Sequence, residues 1–138
     1  MIEHGSFELE LTGNILTLSA YDAWNYQTAI RWSKETKEIV SSIKSHPWSS
    51  LCDLTEWELA TPEIHPYVLE LNVWLDANNL KYLAIVYKTA IQQSLLEKTN
   101  RVFTNVEVKY FTDVDEGETW LKKVSTPANT NSNKAGNG

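Results

Sequence analysis

The run from Trp48 to Leu54, in which Asp53 is the one charged residue, lies between two stretches whose apolar residues have helical spacing. A short, mainly uncharged run of this kind suits a strand buried in the middle of a sheet. Asn25 is a candidate N-cap for the preceding helix, which is expected to end near Ser45. The following helix is expected to span residues 62–78. A buried strand between two helices predicts crossover connections and a mainly parallel sheet.

The rest of the chain continues this alternation of strands and helices. Alternating apolar residues on both sides of Gly13-Asn14 predict an N-terminal β-hairpin. Further strands are expected over 82–87 and 106–111, and further helices over 89–99 and 115–123. The predicted fold class is therefore α/β, with the order β-β-α-β-α-β-α-β-α, a mostly parallel five-stranded sheet and about four helices.

One domain is expected over residues 1–124, followed by a tail over residues 125–138. The tail contains Ser, Thr, Asn, Gly, Pro and Ala with a single Lys. Because such a segment cannot bury apolar surface, it is predicted to be disordered and of low complexity.

Composition and charge exclude several classes of protein. The chain has 12 basic and 18 acidic side chains, a net charge of −6, which argues against nucleic-acid binding because that depends on cations against phosphates. The five glycines form no loop that would cradle a phosphate. Cys52 has no second cysteine to pair with, which indicates a reducing, cytoplasmic setting. No apolar run approaches the ~18 residues of a membrane span, so at most peripheral membrane contact is expected.

The helix expected over 62–78 begins with Thr61-Pro62-Glu63, a candidate N-cap, a proline at the first helical position and an acid in the first turn. Its predicted core face consists of Ile64, Tyr67, Val68, Leu71, Trp74 and Leu75. Leu69 and Val73 lie on the opposite side. Together with Leu59 and Trp57 in the preceding loop, they form a candidate apolar patch for a partner, a second subunit or a membrane surface.

The expected binding end of the sheet is rich in aromatic residues. In open α/β sheets the crevice lies beyond the carboxyl ends of the parallel strands. The loops expected there contribute Tyr21, Trp24, Trp57, Glu58, Tyr87 and Lys88. Aromatic residues beside a few polar groups suit a small-molecule pocket or a protein interface. The alternative is that Trp24 and Trp57 fold back as lids on the core.

No arrangement of residues indicates catalysis or a metal site. His4, His46 and His65 lack the spacing of metal ligands, and Cys52 suits a small buried thiol. We therefore expect a non-enzymatic domain with no cofactor and no metal. An enzyme would need an acid or base with a shifted pKa, for which the candidates are Asp22, Asp53, Glu58 and Lys88.

Two parts of the chain resemble known families of proteins. The hairpin, the strand Trp48-Ser49-Ser50-Leu51-Cys52-Asp53-Leu54-Thr55 and the helix that follows it resemble the STAS fold of anti-sigma-factor antagonists. The closer resemblance is to the SpoIIAA-like (STAS/Sec14-type) proteins of bacteria, in which the last element is often an acidic turn followed by a helix that ends in Trp-Leu. Here that element is Phe111-Thr112-Asp113-Val114-Asp115-Glu116-Gly117-Glu118-Thr119-Trp120-Leu121. The resemblance covers residues 5–123 and implies a STAS fold with a regulatory, non-enzymatic role.

The phosphorylation switch of anti-sigma-factor antagonists has no clear counterpart in this sequence. In those proteins a serine at the start of the helix is phosphorylated, whereas this chain has Ala60-Thr61-Pro62-Glu63. Thr61 is the nearby hydroxyl, and its two candidate roles are helix N-cap and phosphorylation site.

The leading hypothesis is a regulatory domain that recognises a protein partner, or a second copy as a homodimer, through the loop end of the sheet and the 62–78 helix. Lipid-binding relatives, implied by the Sec14 comparison, give the alternative of a carrier for an apolar small molecule or lipid beneath a mobile 62–78 helix. Space under that helix distinguishes the two. If side chains fill it, an interaction module is indicated, and if it is open, a carrier is indicated.

Overall fold

The computed structural model describes residues 2–58 and 62–125. The strands are β1 (Ser6–Thr12), β2 (Ile15–Ala23), β3 (Trp48–Glu58), β4 (Leu80–Val86) and β5 (Glu107–Phe111). The α-helices are α1 (Tyr26–Ser41), α2 (His65–Asp76), α3 (Ala90–Thr99) and α4 (Val114–Ser125). Short 3₁₀ helices cover Pro62–Ile64, just before α2, and Asn100–Val102, just after α3.

The five strands form one sheet in the order β1-β2-β3-β4-β5. Strand β1 pairs antiparallel with β2, and every other neighbouring pair is parallel. This arrangement confirms the predicted α/β fold, its element order and the antiparallel edge strand.

The helices cover the two faces of the sheet unequally. Helices α1, α2 and α3 pack beside one another over one face, while α4 packs on β3, β4 and β5 from the other. Leu54 and Leu83 belong to the larger apolar core beneath α1–α3. Leu51 and Val86 belong to the smaller core beneath α4. Strands β3 and β4 therefore bury both faces, as predicted for a central strand.

Strands β2 and β3 extend further than predicted. Tyr21 pairs with Glu56, and Asp22 pairs with Trp57, so these residues lie on strands and not in loops. The extension follows from continued parallel pairing past the last predicted strand residues. It corrects the placement of Tyr21, Trp57 and Glu58 in loops at the end of the sheet.

A β-bulge in β3 accompanies this extension. Ser19 pairs with Asp53 and Tyr21 with Glu56, so β3 advances three residues while β2 advances two. Asp53 Oδ1 accepts hydrogen bonds from the backbone N of Thr55 (3.1 Å) and from its Oγ1 (2.7 Å). These bonds stabilise the extra residue, and a bulge reverses the side to which subsequent residues point.

Both termini of the predicted 62–78 helix differ from expectation. The α-helix begins at His65 after a 3₁₀ helix, and Ile64 at its N-cap position makes no side-chain cap bond. The helix ends at Asp76. Thr61, predicted as N-cap or phosphorylation site, and Leu59, predicted as part of the apolar patch, lie outside the described residues.

The structure differs from the prediction at the first residue of the expected tail, Ser125. Ser125 is the last residue of α4, and its Oγ lies 2.6 Å from Ser49 Oγ on β3. The remainder of the predicted tail, residues 126–138, lies outside the described residues.

Candidate ligand-binding cavity

A cavity lies between the sheet and helices α1, α2 and α3. Its volume is about 90 Å³. The strands contribute Leu9, Leu16, Leu18, Ala20, Trp48, Ser50, Cys52, Leu54, Trp57, Leu80, Leu83 and Ile85 to its walls. Helices and connecting segments contribute Trp24, Trp32, Thr36, Ile64, Val68, Asn72, Leu75, Leu96, Thr99 and Asn100. These walls are mainly apolar, as in small-molecule sites.

Tryptophan side chains form much of the cavity wall. Trp24 contacts Trp32 and Trp57, with ring centroids 5.4 and 6.3 Å apart. The Trp24 indole N–H donates to the carbonyl of Ser6 at 2.9 Å, and that of Trp48 donates to the carbonyl of Asn78 at 2.8 Å. These bonds fix the orientation of two of the rings in the cavity wall.

Trp24 and Trp57 do not project from the sheet as an exposed aromatic surface. Trp24 is only 4% exposed, and Trp57 is half-buried against the same core. Both side chains are therefore folded back on the core, which was the alternative expectation. Both line the cavity, which keeps them as candidate ligand contacts while removing Trp24 from any external interface.

The other residues predicted at the loop end do not reach the cavity. The Tyr21 hydroxyl donates to Glu8 Oε1 at 3.0 Å, and this hydrogen bond is the main reason that its pKa is raised. Tyr87 packs edge-on against Tyr110, with ring centroids 6.5 Å apart. Glu58 and Lys88 are exposed. The structure thus does not gather Tyr21, Glu58, Tyr87 and Lys88 into one site.

The two apolar residues predicted on the outer side of the 62–78 helix differ in exposure. Val73 is 57% exposed, whereas Leu69 is half-buried. Neither residue lines the cavity. The candidate patch on α2 is therefore centred on Val73.

Cys52 and Asp53 have structural environments. Burial raises the pKa of the Cys52 thiol to about 12, so the thiol stays protonated at neutral pH and is a poor nucleophile. The Asp53 carboxylate is engaged by Thr55 at the bulge. Neither side chain has the environment expected of a catalytic group.

Gln92 is a buried polar residue that sequence reasoning missed. It is 4% exposed, and its Nε2 donates to the carbonyls of Trp57 (2.6 Å) and Leu54 (3.2 Å). Its Oε1 accepts from the backbone N of Lys88 and of Thr89. Thr89 and Gln92 form a capping box, a sequence pattern that would have drawn attention to Gln92 at the start of the helix predicted over 89–99. Gln92 therefore links α3 to the bulged end of β3.

Asn72 links α2 to the end of α3. Its Nδ2 donates to the carbonyl of Thr99 (3.1 Å) and to Asn100 Oδ1 (3.3 Å). Asn100 Nδ2 in turn donates to the Tyr110 hydroxyl at 3.1 Å. The predicted core face of α2 did not include Asn72, because a polar residue gives no apolar periodicity.

A smaller cavity of about 40 Å³ lies between α2 and α3. It shares Trp57, Ile64, Val68, Leu96 and Thr99 with the larger cavity. It also reaches His65 and Leu95, which are half-buried. The shared walls show that the two cavities are adjacent, with the smaller one between α2 and α3.

Two kinds of feature are absent from residues 2–58 and 62–125. No group of three or more His, Cys, Asp or Glu side chains within these ranges is arranged to hold a metal ion. No helix within them is long and apolar enough to cross a membrane.

The structure has the SpoIIAA-like fold, the fold of STAS domains. It is similar to an uncharacterised DUF3478-family protein with a SpoIIAA-like fold from Shewanella loihica PV-4, with a TM-score of 0.67 and 20% identity over 88% of this chain and 96% of that one. It is also similar to an anti-sigma factor antagonist from Mycobacterium paratuberculosis, with a TM-score of 0.61 and 11% identity over 86% and 95% of the two chains. No family model and no curated protein matches the sequence. These identities establish the shared fold alone.

Proposed function

We propose that this protein is a non-enzymatic SpoIIAA-like domain that binds a small apolar molecule between its sheet and α1–α3. The observation that carries the proposal is the open apolar space beneath α2, lined by Ile64, Val68 and Leu75 of that segment. Well-packed cores contain few voids larger than a water molecule, so a gap walled by tryptophans suits a binding site.

The size of the cavity limits what it takes up without rearrangement. An apolar cavity of about 150 Å³ takes up benzene. Here the corresponding space is about 90 Å³, so a ligand longer than a few carbon atoms requires α2 to move outward. A mobile α2 is therefore part of the proposal.

The two ends of α2 are held differently, so we expect one end to move more readily than the other. Near its C-terminal end, Asp76 accepts hydrogen bonds from the backbone N of Thr104 (3.0 Å) and of Asn105 (2.8 Å). At its N-terminal end, Ile64 provides no side-chain cap. Among the described residues, this end of α2 thus has no side-chain hydrogen bond comparable to those of Asp76, and less firmly attached segments open more readily. The N-terminal end of α2, next to the smaller cavity, is the proposed gate.

A matched pair of substitutions on α2 tests the proposal with cyclopentane as the probe. Val68→Phe places a ring in the cavity wall, whereas Val73→Phe places the same ring on the solvent side. Cyclopentane should raise the Tm of the wild type and of Val73→Phe by mass action, but not that of Val68→Phe. An equal rise in all three proteins, or none in the wild type, contradicts the proposal.

The ligand acquired in cells is identified by native mass spectrometry of the full chain. A bound mass that is present in the wild type and in Val73→Phe, and absent from Val68→Phe, is the expected result. A bound mass retained at equal occupancy by Val68→Phe places the ligand elsewhere and contradicts the proposal.

Recognition of a protein partner or a second copy is the second candidate function. The apolar pair formed by exposed Val73 and half-buried Leu69, one turn apart on α2, favours it. Val73→Glu should then abolish self-association, or capture of the specific partner, and leave cyclopentane binding unchanged. Sedimentation of the wild type and the variant at equal concentration measures the self-association.

A further inference from the structure

Two buried polar atoms in the described chain have no hydrogen-bond partner, and both belong to residues that line the cavity. They are Thr36 Oγ1 on α1 and Trp57 Nε1 on β3. Folded proteins contain only a few such groups, and each calls for an explanation. Their shared position indicates that the cavity, and not the packing of the core, is the explanation.

Three other polar side chains of the cavity wall, those of Ser50, Asn72 and Thr99, already have partners. Ser50 Oγ donates to the carbonyl of Leu16 at 2.8 Å, and Thr99 Oγ1 donates to that of Leu96 at 3.1 Å. Asn72 is likewise bonded to the end of α3. Thr36 and Trp57 therefore differ from these three residues in having a buried donor without a partner beside the cavity.

Trp57 is held in position by its backbone. The bulge turns its side chain to the face occupied by Leu54, and Gln92 Nε2 donates to its carbonyl at 2.6 Å. Its ring contacts Trp24 edge-on. A donor fixed in this way needs little ordering when a ligand binds.

The wall also limits the charge of the ligand. None of the described residues that line the larger cavity is Asp, Glu, Lys, Arg or His. An ionised group without a counter-charge is strongly disfavoured in such surroundings. A free carboxylate or ammonium group would therefore remain outside.

Resting on the proposed function, we infer that the ligand is an uncharged apolar molecule with a hydrogen-bond acceptor, such as a ketone, ester or ether oxygen. Trp57 Nε1 donates to that acceptor, and Thr36 Oγ1 is the second polar contact of the cavity. The remaining surface of the ligand packs against the tryptophan and leucine walls.

The test uses cyclopentanone and cyclopentane, two probes of similar size that differ by one carbonyl oxygen. Their dissociation constants are measured by NMR titration of the wild type, Trp57→Phe and Thr36→Val. Trp57→Phe should weaken cyclopentanone binding about threefold to tenfold more than cyclopentane binding, because it removes one neutral hydrogen bond while the change in cyclopentane binding measures the effect of the smaller ring. Cyclopentanone, but not cyclopentane, should move the Trp57 indole N–H signal of the wild type. Thr36→Val, which preserves the shape of the side chain, should produce a smaller selective loss.

The possible failures are distinguishable. If neither probe binds the wild type, the proposed function fails. If both probes bind the wild type but Trp57→Phe and Thr36→Val weaken the binding of both probes equally, the ligand does not need a hydrogen-bond acceptor, and the proposed apolar site still holds. This is the result expected if a bound water satisfies the two donors. Cyclopentanecarboxylate and cyclopentylammonium should bind at least tenfold more weakly than cyclopentanone. Equal binding of either ion overturns the requirement for an uncharged ligand.

Discussion

At the scale of single residues, Gly5 allows the N-terminal segment to pass directly against Trp24. Its φ is +77°, and an added Cβ would lie 2.6 Å from Trp24 Cδ1 and 2.9 Å from the carbonyl oxygen of Ala23. A side chain at this position would therefore be strained by both the backbone conformation and the contact. Because Trp24 also lines the cavity, this contact helps to fix one wall of the site.

Gly5→Ala is expected to lower the free energy of unfolding by about 2–4 kcal/mol, since it combines a positive φ with a steric clash. Gly13→Ala is the matched control, because Gly13 has a φ of +61° but no atom within 4 Å of an added Cβ. That control should cost about 1 kcal/mol. Urea denaturation measures both, and equal losses would show that the contact with Trp24 contributes nothing.

At the scale of elements, Gln92 joins the start of α3 to the end of β3. Its side chain satisfies two backbone N–H groups and contacts two backbone carbonyls. Because one of those carbonyls belongs to Trp57, the same bonds support the cavity wall. A single buried amide thus couples a helix terminus to the candidate site.

Gln92→Leu is expected to lower the free energy of unfolding by about 2–4 kcal/mol, because it leaves buried backbone groups without partners. Gln93→Leu is the control on the same helix, since the Gln93 Nε2 interacts only with exposed Glu97 at 3.4 Å among the described contacts. It should change stability by less than about 0.5 kcal/mol. Guanidinium unfolding distinguishes the two, and a similar small effect of both would contradict the role of Gln92.

The order of the elements was predictable because each follows from a local period, whereas the bulge and the cavity were not. A strict period of two places Trp57 on the face opposite Leu54, yet both line the same cavity after the bulge. The apolar spacing correctly predicted burial of Ile64, Leu71 and Leu75. The gap beneath them depends on how far α2 lies from the sheet, which no local pattern contains.

At the scale of the whole molecule, the two helical layers pack differently against the sheet. Under α4, a Cβ added to Gly117 would lie 3.1 Å from Leu51 Cδ1, so this layer is closely packed. The opposite layer of α1–α3 contains the cavity. The ligand-binding proposal therefore concerns only one face of the sheet, and α2 is the element whose attachment controls it.

That attachment should depend on pH through Asp76. Burial raises the pKa of its carboxyl, but hydrogen bonds from Asn105 and Thr104 outweigh burial and lower it overall. A lowered folded-state pKa means that the stabilisation is present above the unfolded value of about 3.9 and is lost as pH falls through the folded-state value. Acidification into this range should therefore loosen the C-terminal end of α2.

Asp76→Asn should flatten the part of the stability profile that falls below about pH 4 and lower stability at neutral pH, since the ionised acceptor is gone. Glu70→Gln removes a carboxylate from an exposed position on the same helix and serves as the control. Urea denaturation across the acidic range, with hydrogen exchange of the α2 amides, measures the effect. The expected result is faster exchange in α2 at neutral pH for Asp76→Asn alone. Parallel profiles for wild type and Asp76→Asn would mean that Asp76 does not anchor α2, and the gate would then have no fixed end.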